Sequence, residues 1–334
     1  MWVTSSLSTV LKPTAIALGN FDGIHRGHAQ VIRPVLDVAA RSKAASTLAF
    51  GAPVGSASSA PANPIAAETL RPTVVSFYPH PQVVLRGASR SVLTPTDEKA
   101  QCLQGLGVEQ LVLLPFNRAL QQLTPEEFLE KILLDQLQAR MIAVGEDFRF
   151  GRGRAGSAIA LQELAAKFGV PVTIVPMAAA AGDRISSSRI RECLELGEVR
   201  TVHQLLDRPY SLTGRVVKGQ QVGRTIGFPT ANIQVETEKL LPRFGVYSIC
   251  AHLESGEKLG GVVNIGCRPT VAGEAPTVEA HLFDWSGDLY GQLLTIKLKG
   301  FIRPEQPFES LEALKAQIAK DCEVARDQVA ITCC

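Results

Sequence analysis

Between an apolar run, Thr14-Ala15-Ile16-Ala17-Leu18, and a segment with Ile32, Val35, Leu36 and Ala39 at helical spacing, the chain reads G-N-F-D-G-I-H-R-G-H. A short apolar run without polar alternation fits a strand covered on both faces. A strand that turns through glycines directly into a helix opens a parallel α/β unit, which sets the architecture of everything that follows. Gly19, Gly23 and Gly27 let backbone N–H groups approach a ligand closely. The helix N-terminus adds a partial positive charge, so the turn suits a phosphate. His25 and His28 can then donate hydrogen bonds to a phosphate that gains charge in a transition state. A single Gly and His would read more simply as a tight turn with surface histidines, but the full string in this context favours the phosphate site.

At 334 residues the chain exceeds one typical core, and two domains are expected. Hydrophobic residues make up 46% and charged residues 20%, the balance of a globular protein, and no apolar run approaches the ~20 residues of a membrane span. The start, M-W-V-T-S-S-L-S-T-V-L-K, lacks a basic segment followed by a long apolar core, so no secretory leader is expected. A formal net charge of +2 argues neither for nor against nucleic acid. Seven scattered cysteines, with no C-x-x-C pair and a Cys333-Cys334 tail, fit reduced thiols in the cytoplasm better than a zinc site.

Further strands are expected at 72–77, 110–114, 141–144 and 172–175. They alternate with helices. One starts with Thr94 as N-cap and Pro95 at the first helical position; another starts at the capping box Thr124-Pro125-Glu126-Glu127. The second has an apolar face of Phe128, Leu129, Ile132, Leu133 and Leu137. The alternation implies a doubly wound parallel sheet, whose ligands bind at the carboxyl ends of the strands. Residues 42–70, rich in Ala, Ser, Pro and Gly, are expected to form a flexible insertion. Pro34, about two turns into the first helix, is expected to kink or break it. Two more stretches fit the same site: G-E-D-F-R-F-G-R-G-R at 145–154, after a strand, and I-S-S-S-R-I-R at 185–191, opening a helix. Serines there are either ordinary caps or, with the backbone amides, phosphate holders with Arg191 neutralising charge.

Around 205–209 the pattern changes to alternating strands at 211–217, 245–253, 259–265, 277–283 and 293–302, which reads as a small closed antiparallel barrel. A last helix has Leu311, Leu314 and Ile318 on one face. The segment K-G-Q-Q-V-G-R-T-I-G-F-P-T-A-N-I at 218–233 repeats glycine at Gly219, Gly223 and Gly227, which suits amides wrapped around phosphate. Thr230 and Asn232, two apart, point the same way when extended, and with ATP phosphates and water they can complete a Mg²⁺ shell. On composition alone the segment is a Gly/Pro hairpin with a capping Thr. Glu279 lies in an expected strand among apolar neighbours, with His281 on the same face.

The first string resembles the HxGH signature of nucleotidyltransferases that bind ATP and release pyrophosphate. With I-S-S-S-R-I-R, G-F-P-T-A-N at 227–232, N-I-G-C-R-P-T at 264–270 and V-E-A-H-L at 278–282, the chain resembles the bacterial bifunctional riboflavin kinase/FAD synthetase family from about residue 14 to 325, apart from the insertion. The resemblance implies a Rossmann-like nucleotidyltransferase domain over 1–204 and a riboflavin kinase barrel with a terminal helix over 205–334. The barrel would phosphorylate riboflavin to FMN, and the N-terminal domain would adenylylate FMN to FAD, both with ATP and Mg²⁺. Implied ATP-binding residues are Gly19, Phe21, Asp22, Gly23, His25, His28, Ser187, Ser188, Arg191, Gly219, Gly223, Arg224, Gly227, Thr230 and Asn232. His25, His28, Arg191 and Glu279 are the implied catalytic residues. By the same resemblance Asp147 and Glu279 would face the flavin, and Thr230 and Asn232 would hold the metal. Glu279 ranks above His281 as the base that takes the riboflavin 5′-hydroxyl proton. Expected partners are small molecules, in the cytoplasm, with neither membrane nor nucleic acid.

Two other classes compete. One is adenylylation of a different acceptor, pantetheine phosphate or nicotinamide mononucleotide; the barrel motif argues against it. The other makes the barrel an oligonucleotide-binding module, but no strand face interleaves Lys or Arg with aromatics, and only 6% of residues are aromatic.

Overall fold

The computed structural model describes residues 1–51, 68–87, 90–180, 183–219, 222–270 and 273–330. By contacts the chain divides into two compact units, Met1–Arg90 with Thr96–Ile185, and Ser91–Pro95 with Ser186–Cys334. The division expected at 204/205 differs from this one, which falls at Ile185/Ser186 and carries residues 91–95 into the second unit.

Six parallel strands build the first unit: β1 (Trp2–Thr4), β2 (Thr14–Leu18), β3 (Arg71–Tyr78), β4 (Gln110–Pro115), β5 (Ala139–Gly145) and β6 (Val172–Val175). Their order is β1-β4-β3-β2-β5-β6, which puts β2 inside the sheet. Ile16 and Leu18 face one core with Leu129, Leu133 and Leu161, while Ala15 and Ala17 face the other with Ile32, Val35 and Leu103. Helices α1 (Arg26–Gly51) and α2 (Thr96–Gly105) therefore cover one face, and α3 (Phe128–Gln136) and α4 (Ala158–Ala166) the other. Two-sided burial explains why β2 is apolar from Ala15 to Leu18, while the buried Thr14 donates from Oγ1 to the Leu137 carbonyl at 2.7 Å.

Several expectations are corrected here. Helix α1 is not broken at Pro34 but continues through it, with Ile32 and Val35 fully buried against the sheet. It continues to Gly51, so 42–51 are helical and not part of a flexible insertion; alanine-rich sequence favours a helix. Ser42 is buried and ties the segment's two ends together. Its Oγ donates to the Ala39 carbonyl at 2.9 Å and accepts from the Leu70 N–H at 3.0 Å. Residues 52–67 of the expected insertion lie outside the described residues. Helix α2 starts at Thr96, one residue after the position expected for Pro95. The Thr124 capping box is present, but α3 beyond it is wound with i→i+5 bonds; the Leu137 N–H reaches the Ile132 carbonyl at 3.0 Å.

The second unit opens with α5 (Ser187–Leu196) and α6 (Val199–Leu206). Its barrel comprises β7 (Ser211–Val217), β8 (Ala231–Val235), β9 (Gly245–His252), β10 (Lys258–Thr270), β11 (Gly273–Leu282) and β12 (Leu293–Arg303). It closes in the order β7-β8-β11-β10-β9-β12 with antiparallel ladders, which leaves no free edge. Val278, Ala280 and Leu282 are buried, whereas Thr277, Glu279 and His281 on the alternate face are part-exposed. Residues 91–95 join this unit through a bridge between Val92 and Lys239. The buried Lys239 Nζ donates to the Leu93 carbonyl at 2.8 Å and sits 4.3 Å from the Tyr210 ring centroid.

Helix α7 (Leu311–Ala330) packs on the outside of the barrel. The expected face is corrected: Leu311 is exposed, and the buried stripe runs Ile318, Cys322, Ala325, Val329 against Val246, Val262 and Phe283. Burial pushes the Cys322 thiol up to about 11, so it packs as a neutral apolar group. Asp321, 4% exposed, accepts a forked pair of bonds from Arg303 (Nε to Oδ1 3.1 Å, Nη2 to Oδ2 2.9 Å) and a third from Gln317. Replacing Asp321 with Ala strands a part-buried guanidinium. The expected loss is ~3–5 kcal/mol, read by urea unfolding of the full chain.

Candidate functional site

In the first unit the phosphate turn is a strained structure at the carboxyl end of β2. The Gly19 N–H donates to the Val75 carbonyl of β3 at 3.1 Å, extending the ladder by one step. The chain then passes through left-handed backbone at Phe21 (φ 48°), Gly23 (φ 93°) and Ile24 (φ 42°) before α1 begins. For a side chain with Cβ that region costs about 1–2 kcal/mol per residue, and such strain gathers where function fixes the backbone. Phe21, Asp22, Ile24 and His25 are all buried.

His25 immediately precedes α1, and its Nδ1 accepts from the His28 N–H at 3.2 Å. An accepting Nδ1 places the ring proton of His25 on Nε2. The two imidazoles stack with centroids 3.6 Å apart and planes 15° apart, and the Phe21 ring lies 5.2 Å from His28. A side chain at position 27 would press the His25 ring at 3.2 Å and Ala178 at 3.4 Å, so Gly27 permits the stack. The structure thus brings Gly19, Phe21, Asp22, Gly23, His25 and His28 into one turn.

Asp147 lies in the loop after β5 and forms an ion pair with Arg184; both side chains are about half exposed. Exposed pairs contribute at most ~1 kcal/mol, so a ligand can displace Arg184 at little expense. Behind the loop, Phe148 stacks on Phe150 at 5.7 Å, and a Cβ at Gly156 would come within 2.6 Å of the Phe150 ring. At the start of α5, Ser186 is the cap, accepting from the Arg189 N–H at 3.3 Å. Ser187, Ser188 and Arg191 follow it on that helix and belong by contacts to the second unit, whereas His25 and His28 belong to the first.

In the barrel unit the glycine loop lies close against β8. A Cβ at Gly219 would overlap the Asn232 amide, and one at Gly223 would overlap the Phe228 carbonyl and come 3.3 Å from Thr230 Oγ1. Gly227 has φ 88°, and the Phe228 N–H donates to the Gly223 carbonyl at 2.8 Å. Arg224 sits in the single helical turn between Val222 and Thr225; its side chain is outside what is described. Asn232, Glu279 and Asn264 are register partners across β8, β11 and β10, forming one row on the barrel. The Asn264 Nδ2 donates to Glu305 Oε1 at 3.2 Å, a contact that sequence reading misses because Glu305 follows the last strand. His281 Nδ1 bonds the Pro229 carbonyl at 2.8 Å, and its ring meets Phe228 edge-on at 5.4 Å. A carbonyl only accepts, so Nδ1 is the donor and His281 braces the loop. Away from this row, burial and then Lys297, Lys258 and Lys299 hold the His252 imidazole below its ordinary range.

The donor chemistry beside the glycines fits Mg²⁺. Thr230 and Asn232 offer neutral oxygens where the glycine loop is closest, and Mg²⁺ keeps waters and phosphate oxygens in its shell. Among the described residues no group of three or more His, Cys, Asp or Glu could hold a metal ion.

Two family models match this chain. FAD synthetase covers residues 7–53 and 60–189, and riboflavin kinase covers 206–329. A bifunctional riboflavin kinase/FMN adenylyltransferase of Escherichia coli (strain K12) is 36% identical over 319 residues, covering 95% of this chain and 93% of the relative. One from Bacillus subtilis (strain 168) is 33% identical over 318 residues, with 93% and 91% covered. A solved structure titled as a macrolide-efflux protein from Streptococcus pneumoniae is 28% identical with a TM-score of 0.80, covering 97% of this chain and 98% of its own. Among the described residues no helix is long and apolar enough to cross a membrane. Two phosphate-binding units in one chain define a two-site enzyme of phosphate transfer. The chain belongs to the bifunctional riboflavin kinase/FMN adenylyltransferase family.

The turn's backbone generates one expectation of its own. Gly23→Ala forces a side chain into left-handed backbone and lowers stability by about 1–2 kcal/mol, measured by urea unfolding. The same substitution at Gly19, whose φ is ordinary, costs less.

Proposed function

We propose that this chain makes FAD in two steps. The barrel unit transfers the γ-phosphoryl group of ATP to the 5′-hydroxyl of riboflavin, giving FMN and ADP. The HxGH unit then joins an FMN phosphate oxygen to the α-phosphorus of a second ATP, and the α–β phosphoanhydride bond breaks to release pyrophosphate. The observation that supports this reading is that each matched region holds its own glycine-built turn or loop, with His25 and His28 beside one and Glu279 beside the other. As catalytic halves we assign residues 1–204 and 205–334. That boundary falls in the last turn of α6, beside the start of the riboflavin kinase match.

In the first half, Gly19, Phe21, Asp22 and Gly23 line the ATP phosphates, and His28 and His25 donate to the phosphate that gains charge. Ser187, Ser188 and Arg191 bind ATP in the same reaction; this assignment rests on the I-S-S-S-R-I-R motif. Asp147 meets the flavin in place of Arg184. In the second half, Gly219, Gly223, Arg224 and Gly227 hold ATP, and Glu279 takes the 5′-hydroxyl proton as that oxygen attacks. The brace from His281 to Pro229 supports Glu279 as the base over His281. Thr230 and Asn232 would hold Mg²⁺, which supplies charge neutralisation at the phosphates when bound. The reactions take place in the cytoplasm with small-molecule partners and without nucleic acid; the free thiols of Cys102, Cys193, Cys250 and Cys322 support that compartment.

Two variants separate the halves. In His28→Ala, loss of one preorganised donor lowers FAD formation from supplied FMN ~10²–10³-fold and leaves riboflavin phosphorylation near wild type. Glu279→Gln keeps the shape of the side chain and removes the base. Riboflavin phosphorylation falls ~10²–10⁴-fold, and FAD formation from FMN persists. Parallel time courses, one fed riboflavin and one fed FMN, read both. A folded variant that loses both activities together contradicts the division of labour.

A further inference from the structure

We infer that Ser76 and Lys99 are positioning residues of adenylyl transfer, holding the strained His25/His28 turn by the carbonyl of Asn20. The inference rests on reading the first unit as the FMN adenylyltransferase. Ser76, fully buried on β3, donates from Oγ to the Asn20 carbonyl at 2.9 Å. Lys99, in the first turn of α2, donates from Nζ to the same carbonyl at 3.1 Å and to Ser76 Oγ at 3.3 Å. One carbonyl, one hydroxyl and one ammonium therefore form a closed triangle at the mouth of the turn.

The placement of the triangle gives it a purpose beyond satisfying a carbonyl, for which the Ser76 hydroxyl alone suffices. Asn20 is the last residue before Phe21, Gly23 and Ile24 enter left-handed backbone. Those residues relax toward ordinary backbone unless their flanks are fixed. On the far side, α1 fixes the chain through the bond from the Ala29 N–H to the His25 carbonyl. On the near side, Gly19 is tied to Val75 and Asn20 to Ser76, so two consecutive residues of β3 hold two consecutive residues of the turn. Lys99 adds a charge-assisted bond, roughly twice as strong as a neutral one, from a different element. The turn is thus pinned by a strand and a helix from outside the turn itself. Positioning of this kind acts on the transition state, because donor placement matters most where charge develops.

The test is steady-state kinetics on full-length Ser76→Ala, Lys99→Met, the double variant and Lys99→Arg, each checked for folding by circular dichroism. In each single variant kcat for FAD formation from FMN falls about ten- to a hundredfold. KM for ATP and FMN moves less than about threefold, as expected when only transition-state interactions are lost. The double variant is no slower than about the slower single, because both groups act on one carbonyl. Lys99→Arg, which keeps charge and reach, recovers most of the rate, and riboflavin phosphorylation is unchanged throughout. Wild-type kcat in folded Ser76→Ala and Lys99→Met overturns the inference. So does a Lys99→Met defect confined to KM for ATP, which would make Lys99 a substrate contact. If Ser76→Ala fails to fold, Lys99→Met and Lys99→Arg decide the matter alone. If the unmodified chain makes no FAD from FMN, the reading of the first unit fails, and that result is distinct from failure of the clamp.

Discussion

The bond from the Gly19 N–H to the Val75 carbonyl is where the sheet of the first unit hands over to its chemistry. Up to Leu18 the chain is an interior strand with partners on both sides. Within a few residues it must leave the sheet, reverse and start a helix on one face. Left-handed backbone at three positions makes that reversal, and a helix that starts there leaves its first N–H groups without intrahelical acceptors. The His25 ring takes the His28 N–H. The place of the proposed phosphate site follows from the topology: a parallel sheet opens its crevices at the carboxyl ends of its strands, and a helix start there presents donors and positive charge.

The barrel solves the same chemical problem without a sheet edge or a long helix at its site. Its ladders close on themselves, and with Val278, Ala280 and Leu282 packed inside, Glu279 stands on the other face. The glycine loop is pressed so close to Asn232 of β8 and to Phe228 ahead of it that side chains at 219 and 223 have no room. Beneath it, the strand register sets Asn232, Glu279 and Asn264 side by side. Helix α7 covers Val246, Val262 and Phe283, and the Arg303–Asp321 fork fixes it there. A closed barrel is rigid by construction, so register alone places the carboxylate.

Much of this was legible in the sequence because it is local. β2 and β6 appear over the residues expected, since unbroken apolar runs end at turn residues. The Thr124 box, five of the barrel's six strands and the two glycine-rich motifs were legible for the same reason; the strand at Ala231–Val235 was not, because it pairs with its neighbours over only a few residues. What was hidden depends on tertiary partners. β1 is three residues long and becomes a strand only by pairing with β4. Residues 42–51 have loop-like composition, yet alanine propensity and the Ser42 contacts to Ala39 and Leu70 make them helix. The winding of α3 is invisible because Leu129, Leu133 and Leu137 suit either helix period. Ser76 and Lys99 lie 56 and 79 residues from Asn20, and no spacing rule reaches that far. The crossing of 91–95 into the second unit depends on buried Lys239, which reads in sequence as one more surface charge.

The central claim is that one chain carries two phosphate-transfer sites that act in series on a flavin. It is tested most directly by incubating the purified full-length protein with riboflavin, ATP and Mg²⁺ and separating the flavins by chromatography over time. The account predicts that FMN appears first, that FAD follows after a lag, and that pyrophosphate is released in step with FAD. No conversion of riboflavin, or FMN that accumulates without any FAD when ATP is in excess, would contradict it.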